Sequence, residues 1–366
     1  MSKSPAVKMK LNILIDVERL KYPKSGIANV CRSLVKGFSE SKSEMSYSFY
    51  GPENNIPEVG TKNNIINWKF WQKFLPIHTQ KFQLIHVGHQ LSDYFHTVKK
   101  NQKKVVTLHD LNFLHDQSSA SKVAKTKNLV QKNIGNADAI VCISEFAKTD
   151  FESNKSLFTL KKNVITEVIY NGLIFPEANI PDFSSKFSFL DKKFMLTIGV
   201  LFPKKNQKVL LDLLVQNDRD LVLVTSASKT GYKEEFLARI KELNLENRVH
   251  ILENISNDEK YFLLQKCEAY VHPSLAEGFG IPPVEAMYFG KPVFLSRLTS
   301  LPEIGGDLAF FFDDFSGEKM NEMYLKGMEI YQNDSEMPSK LHQHALKFGY
   351  KKMAESYENL YRKLLA

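Results

Sequence analysis

Cysteine is scarce: three residues in 366, Cys31, Cys142 and Cys267, stand far apart. Neither disulfide pairs nor zinc spacings can be drawn from them, which fits a reducing cytoplasm and empties the sequon Asn154-Lys155-Ser156 of meaning. No apolar run approaches the roughly 18 residues of a membrane-spanning helix. The opening MSKSPAVKMKLNILID holds only a short apolar stretch, read as a first strand; a secretory leader needs a longer apolar core and a small-residue cleavage site. No Gly-x-Gly-x-x-Gly follows that strand, which sets aside a dinucleotide-dependent dehydrogenase. No Asp-x-Asp cluster is read and no His/Cys spacing suits a divalent ion, so neither metal nor other cofactor is expected. No run of Lys/Arg threaded with aromatics stands out, and nucleic acid is not an expected partner.

What is present is ordinary in bulk, 43% hydrophobic and 25% charged, and long enough for two domains. The net charge of +8 is unevenly spread. Residues 1–185 hold 25 Lys and Arg against 16 Asp and Glu, a net of +9; the remainder holds 24 against 25. A basic first half fits a solvated surface or an anionic neighbour, such as a membrane face or a phosphate-bearing acceptor.

Short Val- and Ile-rich runs alternate with helical patterns throughout. Residues 11–16, 83–88, 104–110, 139–144 and 164–172 read as strands, with helices over 26–40 and 121–137 between them. The pattern restarts with strands at 194–200, 220–226, 248–253, 269–274 and 292–296, and residues 171–193 between the halves read as a linker. Near-continuous apolar strands alternating with helices imply parallel sheets covered on both faces. The expectation is an α/β chain of two doubly wound Rossmann-like domains: 1–180, 181–345, and a terminal helix, 346–366, crossing back on the first. Ligands of such sheets sit beyond the carboxyl ends of the strands, here in a cleft between the domains.

The stretch HPSLAEGFGIPPVEAMYFGKPVF, residues 272–294, carries the chemistry. A buried strand ends at Pro273, a glycine-rich loop follows, and Pro282-Pro283 suit the first turn of a helix that Gly290 ends. Gly278 and Gly280 permit close backbone approach, and a helix N-terminus there is an anion site. Glu285, in the first turn or so, can accept from a vicinal diol such as a ribose. Glu277, ahead of the loop, can accept from hydroxyls beyond the phosphates. Phosphate at the loop with diols on either side describes a nucleotide sugar.

This stretch resembles the Glu-x7-Glu motif of retaining GT-B glycosyltransferases of family 4. The blocks VVTLHDLNFLHD (105–116), ADAIVCISEFAKTDF (137–151), VIYNGL (168–173), TIGVLFPKKNQKVLLDLL (197–214) and LPEIGGDLAFFFDDF (301–315) follow the family's order. The resemblance implies that Glu285 holds the ribose and Glu277 the donor-sugar hydroxyls. The backbone of Gly278, Phe279, Gly280 and Ile281 would line the sugar and diphosphate. Lys205 would neutralise the leaving diphosphate, with Lys204 standing where relatives often carry Arg. Some relatives place Arg after the strand glycine, where this chain has Val200, and relatives with Gly-x-Gly at the first helix contrast with Gly26 and Ala28 here. His109 would sit beside the reacting sugar. Asp110, His86 and His89 are candidate acceptor contacts, and Tyr357 and Tyr361 of the terminal helix are packing residues.

The resemblance therefore implies transfer of a hexose, with retention, from a nucleotide diphosphate sugar to a glycan or polyprenyl-linked glycan in cell-surface polysaccharide or lipopolysaccharide assembly. GDP-mannose is the favoured donor and a UDP-hexose the alternative. The chain would be cytoplasmic, with peripheral contact to the anionic inner face of the cell membrane. A glycoside hydrolase using the two glutamates, a UDP-sugar 2-epimerase and a non-catalytic scaffold are the competing readings.

Overall fold

The computed structural model describes residues 11–23, 25–57, 64–74, 77–115, 119–177 and 179–366. Residues 1–10, read above for a leader, lie outside them, as do Lys24, two residues before Gly26, and Asp116 at the end of the 105–116 block. The chain forms two compact units: residues 1–173 with 350–366, and residues 174–349.

The first unit is built on β1 (Asn12–Asp16), β2 (Ser46–Gly51), β3 (Ile65–Asn67), β4 (Leu84–Val87), β5 (Lys103–Leu108), β6 (Ala139–Cys142) and β7 (Ile165–Val168). They lie in the order β3-β2-β1-β4-β5-β6-β7, every pair parallel. β1 buries Ile13, Leu14 and Ile15 completely, as a strand covered on both faces must. Its helices are α1 (Gly26–Ser39), α2 (Ala120–Ile134) and α3 (Glu145–Asn154), joined by the terminal helix. α1 starts at Ser25, whose Oγ accepts from the Ala28 N–H at 3.2 Å. Ala28 is wholly buried, so the position where relatives carry a second glycine here serves packing.

The second unit holds β8 (Phe194–Ile198), β9 (Asp220–Thr225), β10 (Val249–Glu253), β11 (Ala269–His272), β12 (Val293–Ser296) and β13 (Phe310–Phe312), in the parallel order β10-β9-β8-β11-β12-β13. Its helices are α4 (Val209–Val215), α5 (Tyr232–Glu242), α6 (Asn257–Lys266), α7 (Ile281–Tyr288), α8 (Leu301–Gly305), α9 (Gly317–Asn333) and α10 (Met337–Leu346). The segment read as a linker is not free. Phe187 and Phe189 are buried, Phe187 against Phe262 of α6 and Phe189 against Phe194 of β8.

α11 (Tyr350–Leu365) closes the first unit with an apolar face of Met353, Tyr357, Leu360 and Tyr361. Its tyrosines also make polar ties. Tyr361 OH bonds His86 Nδ1 at 2.7 Å, His86 Nε2 bonds Thr107 Oγ1 at 2.7 Å, and Thr107 Oγ1 bonds Tyr357 OH at 2.8 Å. This relay fastens the helix to β4 and β5 through wholly buried polar groups, each satisfied by the next.

Strand order reverses beside β1 in the first sheet and beside β8 in the second. At such switch points the loops leaving adjacent strands diverge and open a crevice at the carboxyl edge. In the first unit the segments after β1, β4 and β5 meet there, carrying Gly26, His89 and His109. In the second, the segments after β8 and β11 meet, carrying Lys204, Lys205 and Glu277.

Candidate active site

The two loops of the second unit are joined through their backbones. The Leu275 N–H donates to the Lys204 carbonyl at 2.8 Å, and Ser274 Oγ donates to the same oxygen at 3.2 Å. Asn206, in the left-handed conformation at φ 55°, turns the Pro203–Lys205 helical turn back towards α4. Residues 72 apart in sequence thereby become partners: Lys205 Nζ pairs with Glu277 Oε1, both side chains largely buried. His272, the last residue of β11, bonds the same carboxylate through Nε2 at 2.6 Å, and its Nδ1 lies 3.2 Å from Tyr270 OH. Burial would raise the Glu277 carboxyl, but Lys205 and His272 outweigh it and hold the group well below the usual carboxylate range. Glu277 is therefore a permanent anion, its backbone fixed by the Thr299 hydroxyl at 3.1 Å and by Ser300, whose Oγ donates to the Glu277 and Phe279 carbonyls.

The Lys204 ammonium has no carboxylate partner among the described residues. The cation offered freely to an incoming anion is thus Lys204, while Lys205 is engaged. Val200 spends its carbonyl on Gln207 Nε2 at 2.8 Å and so closes the same turn.

α7 differs from expectation at its start. Gly280 caps it at φ +111°, a conformation that disfavours any other residue, and a Cβ there would meet Leu301 Cδ2 at 3.0 Å. Pro282 and Pro283 occupy the first turn but carry no N–H, so the helix end presents fewer donors than an ordinary one. Phe279 has its ring buried against Phe348, which leaves only its backbone for a ligand. Glu285 is not in the first turn: it is the fifth helical residue, buried, and its Oε1 is held by Lys260 Nζ of α6 at 2.6 Å. Oε2 makes no hydrogen bond to a described residue.

In the first unit, His109 follows β5 and is nearly buried. Its Nε2 lies 3.0 Å from the Gly88 carbonyl, which can only accept, so Nε2 carries the proton and Nδ1 the lone pair. Burial pushes its pKa below the usual histidine value, which keeps the ring neutral. His89 stacks on it at 4.8 Å, its Nδ1 accepting from the Leu91 N–H at 2.9 Å. Asp110 turns inward to its own loop, accepting from the Asn112 N–H at 3.0 Å. Gly26 is exposed at the first position of α1. His86 is a correction: wholly buried, with both ring nitrogens engaged by Thr107 and Tyr361, it has no face for an acceptor. Burial and the neighbouring His109 push its pKa down to about 3, which suits a neutral core residue.

Sequence reasoning missed His272 and Lys260, which orient the two glutamates. His272 opens the motif itself at a strand end, a signal that could have been used; Lys260 gave none. The expected absence of an Asp-x-Asp is a correction: Asp218-Arg219-Asp220 is one. Its Asp218 pairs with Arg219, and its Asp220 is buried at the amino end of β9 against His250, 2.9 Å away. Among the described residues no group of three or more His, Cys, Asp or Glu could hold a metal ion. A depression of about 540 Å³ shares Pro203 and Asn206 with the lysine turn, but it faces Tyr232 and Glu235 of α5 and includes neither glutamate.

Residues 179–348, nearly all of the second unit, match the family described as Glycosyl transferases group 1. The second unit is a group 1 glycosyl transferase domain. Over the longer chain, the protein is 24% identical across 347 residues to the O-antigen chain mannosyltransferase B of Escherichia coli, covering 87% of this chain and 91% of that protein. It is 25% identical across 240 residues to the O-antigen chain mannosyltransferase RfbU of Salmonella typhimurium, covering 64% and 63%. The Anabaena protein HepE, solved in complex with UDP and glucose, superposes with a TM-score of 0.72 at 19% identity, over 96% of this chain and 100% of HepE. The fold, two Rossmann-like units with parallel sheets, is GT-B.

Proposed function

We propose that the protein is a retaining glycosyltransferase of family 4 that moves mannose from GDP-mannose to a glycan or polyprenyl-linked glycan during cell-surface polysaccharide assembly. The observation that carries this reading is the meeting, at one switch point, of a fixed carboxylate anion with two lysines beside a glycine-capped helix. Lys204 and Lys205 are suited to the diphosphate, Glu277 to hydroxyls of the donor sugar, and Glu285 to the ribose diol through its uncommitted oxygen. Gly26 and the backbone of Gly278, Phe279, Gly280 and Ile281 are suited to lining the donor. In the first unit, His109 is suited to the reacting sugar, with His89 and Asp110 shaping the acceptor side.

In the reaction, the bond from the anomeric carbon to the diphosphate oxygen breaks while a bond to the acceptor oxygen forms on the same face. The acceptor proton passes to the departing phosphate. Lysine ammonium groups already in place would stabilise the charge that develops there, without a metal ion. Glu277, paired with Lys205 and His272, which favour its ionised form, is poorly suited to the proton-donor role that a glycoside hydrolase needs.

Mannose as the sugar is supported by the names of the two bacterial relatives; UDP-glucose is the second reading, supported by the ligands in the HepE structure. A lipid-linked acceptor would place the enzyme at the cytoplasmic face of the membrane. Among the described residues no helix is long and apolar enough to cross one. The test is incubation with GDP-mannose or UDP-glucose and a polyprenyl-diphosphate-linked sugar acceptor, with and without EDTA. The new linkage is read by the anomeric coupling constant. An axial product with EDTA present supports the reading; an equatorial product overturns retention. A free sugar epimer or hydrolysis of a simple glycoside would instead indicate an epimerase or a hydrolase.

A further inference from the structure

Both tryptophans of the chain, Trp68 and Trp71, lie in one short segment, NWKFWQKF, just after the edge strand β3. This segment threads lysines between aromatics, a pattern that reading the sequence passed over. Phe70–Lys73 form a 3-10 turn, whose three residues per turn stack side chains three apart. Phe70 therefore aligns with Lys73, Trp71 with Phe74, and Lys69 with Gln72. The third row is the anchor: Gln72 Oε1 accepts from Tyr50 OH at 3.0 Å and from the Lys69 N–H at 2.7 Å. Trp68 adds a second anchor, its Nε1 donating to Tyr94 OH at 2.6 Å. With the turn fastened by these groups, the other two rows face solvent. Phe70 is 68% exposed, Trp71 42% and Phe74 75%, the densest cluster of exposed large apolar side chains in the described chain.

Exposing three large rings on one turn is unfavourable in water unless something else covers them. The surrounding charge indicates what. Lys69 and Lys73 have no carboxylate partner among the described residues; their ammonium groups lie 5.9 and 4.8 Å from the Trp71 and Phe74 ring centres. Lys21, 5.3 Å from the Trp68 ring and 5.2 Å from the exposed Tyr22 ring, is paired with Glu18 at 2.6 Å and leaves the cationic rim to Lys69 and Lys73. Aromatic rings edged by lysine match the boundary layer of a bilayer, where rings enter between headgroups and ammonium groups meet anionic phosphates. Apolar and electrostatic contributions together are what reversible surface binding requires.

We propose that the turn Lys69–Phe74, with Trp68 at its base, is a docking surface for an anionic lipid bilayer. It follows the carboxyl end of β3, and His109 follows the carboxyl end of β5 in the same parallel sheet, so docking would set the acceptor edge of the first unit at the membrane. That purpose rests on the reading of a lipid-linked acceptor; the docking itself does not.

Because the chain has no tryptophan outside this segment, its emission reports the turn directly. The full chain is titrated with phosphatidylcholine vesicles, with and without about one-third phosphatidylglycerol, and co-sedimentation is measured in parallel. Anionic vesicles are expected to blue-shift the emission and sediment the protein; neutral vesicles should do neither at the same lipid. F70S/F74S should weaken partition at least tenfold, and K69Q/K73Q about thirtyfold, at roughly fivefold per lysine. Thermal stabilisation by nucleoside diphosphates, measured on the same variants, should be unchanged. Absence of any shift, equal shifts with both lipids, or full partition by both double variants would overturn the proposal without touching the transferase reading. So would concentration-dependent self-association abolished by F70S/F74S, or a shift produced by single-stranded oligonucleotide in place of vesicles.

Discussion

Glu277→Gln should tighten the binding of inorganic pyrophosphate while reducing turnover of a nucleotide sugar. The reasoning starts from the engaged Lys205 ammonium. Its pair with Glu277 involves side chains only 14% and 13% exposed, so solvent screens it weakly. A charge-assisted hydrogen bond of this kind contributes about 1.5–3 kcal/mol. Glutamine keeps an oxygen acceptor for Lys205 and loses the charge, which releases about half of that. An anion approaching Lys204 and Lys205 then meets one cation less committed and one carboxylate fewer, a gain of about 1.4 kcal/mol or tenfold in affinity. Glutamine cannot supply the anionic acceptor proposed for the sugar hydroxyls, so turnover should fall by about a hundredfold, some 2.7 kcal/mol of transition-state stabilisation. Calorimetric titration with pyrophosphate isolates the first effect, because the probe has neither base nor sugar. Lys205→Met should change affinity in the opposite direction. Unchanged or weaker pyrophosphate binding by Glu277→Gln would refute the view that the pair restrains Lys205.

Three further outcomes follow from the geometry. Asp16, at the carboxyl end of β1, is pushed up to about 7 by burial and by Glu18, against the opposing Ser92 hydroxyl and Glu18 N–H. With the folded value raised above the unfolded one, the native state holds an extra proton between about pH 4 and 7, so this contribution to stability is lost as pH rises through 7. Asp16→Asn should therefore gain on the wild type over that window, by up to about 4 kcal/mol at roughly 1.4 per pH unit, in urea unfolding followed by tryptophan emission. Gly280→Ala should cost about 1–3 kcal/mol in thermal unfolding and weaken diphosphate binding, because φ +111° and the contact with Leu301 both oppose a Cβ. Tyr361→Phe should cost about 1–3 kcal/mol and raise hydrogen exchange in α11, since it leaves His86 Nδ1 buried without a partner.

The alternation of apolar runs with helical periods was enough to read both sheets as parallel, because strands such as β6 and β9 are buried on both faces and are mostly apolar. Strands with other compositions escaped. β2, SYSFYG, is buried but half polar, and β13 is three phenylalanines whose partner strand no local pattern reveals. α9 also went unread, although Met320, Tyr324 and Met328 recur every four residues on its buried face. The glutamates of the site were legible as a motif, but their partners were not: Lys205 and Lys260 reach them only through strand order and helix packing. His86 misled because a histidine in an apolar strand looks like a ligand contact, whereas here a tyrosine and a threonine from distant segments satisfy its two ring nitrogens.

The central claim is that the second unit binds a nucleotide sugar without a metal ion. Thermal unfolding of the purified protein with GDP, UDP, ADP or dTDP, each with and without EDTA, tests it most directly. A ligand at a hundred times its dissociation constant stabilises by about 2.7 kcal/mol. The account predicts that one diphosphate stabilises the protein, that EDTA does not change the shift, and that Glu285→Ala removes it. Failure of all four to stabilise, or a shift that EDTA abolishes, would contradict it.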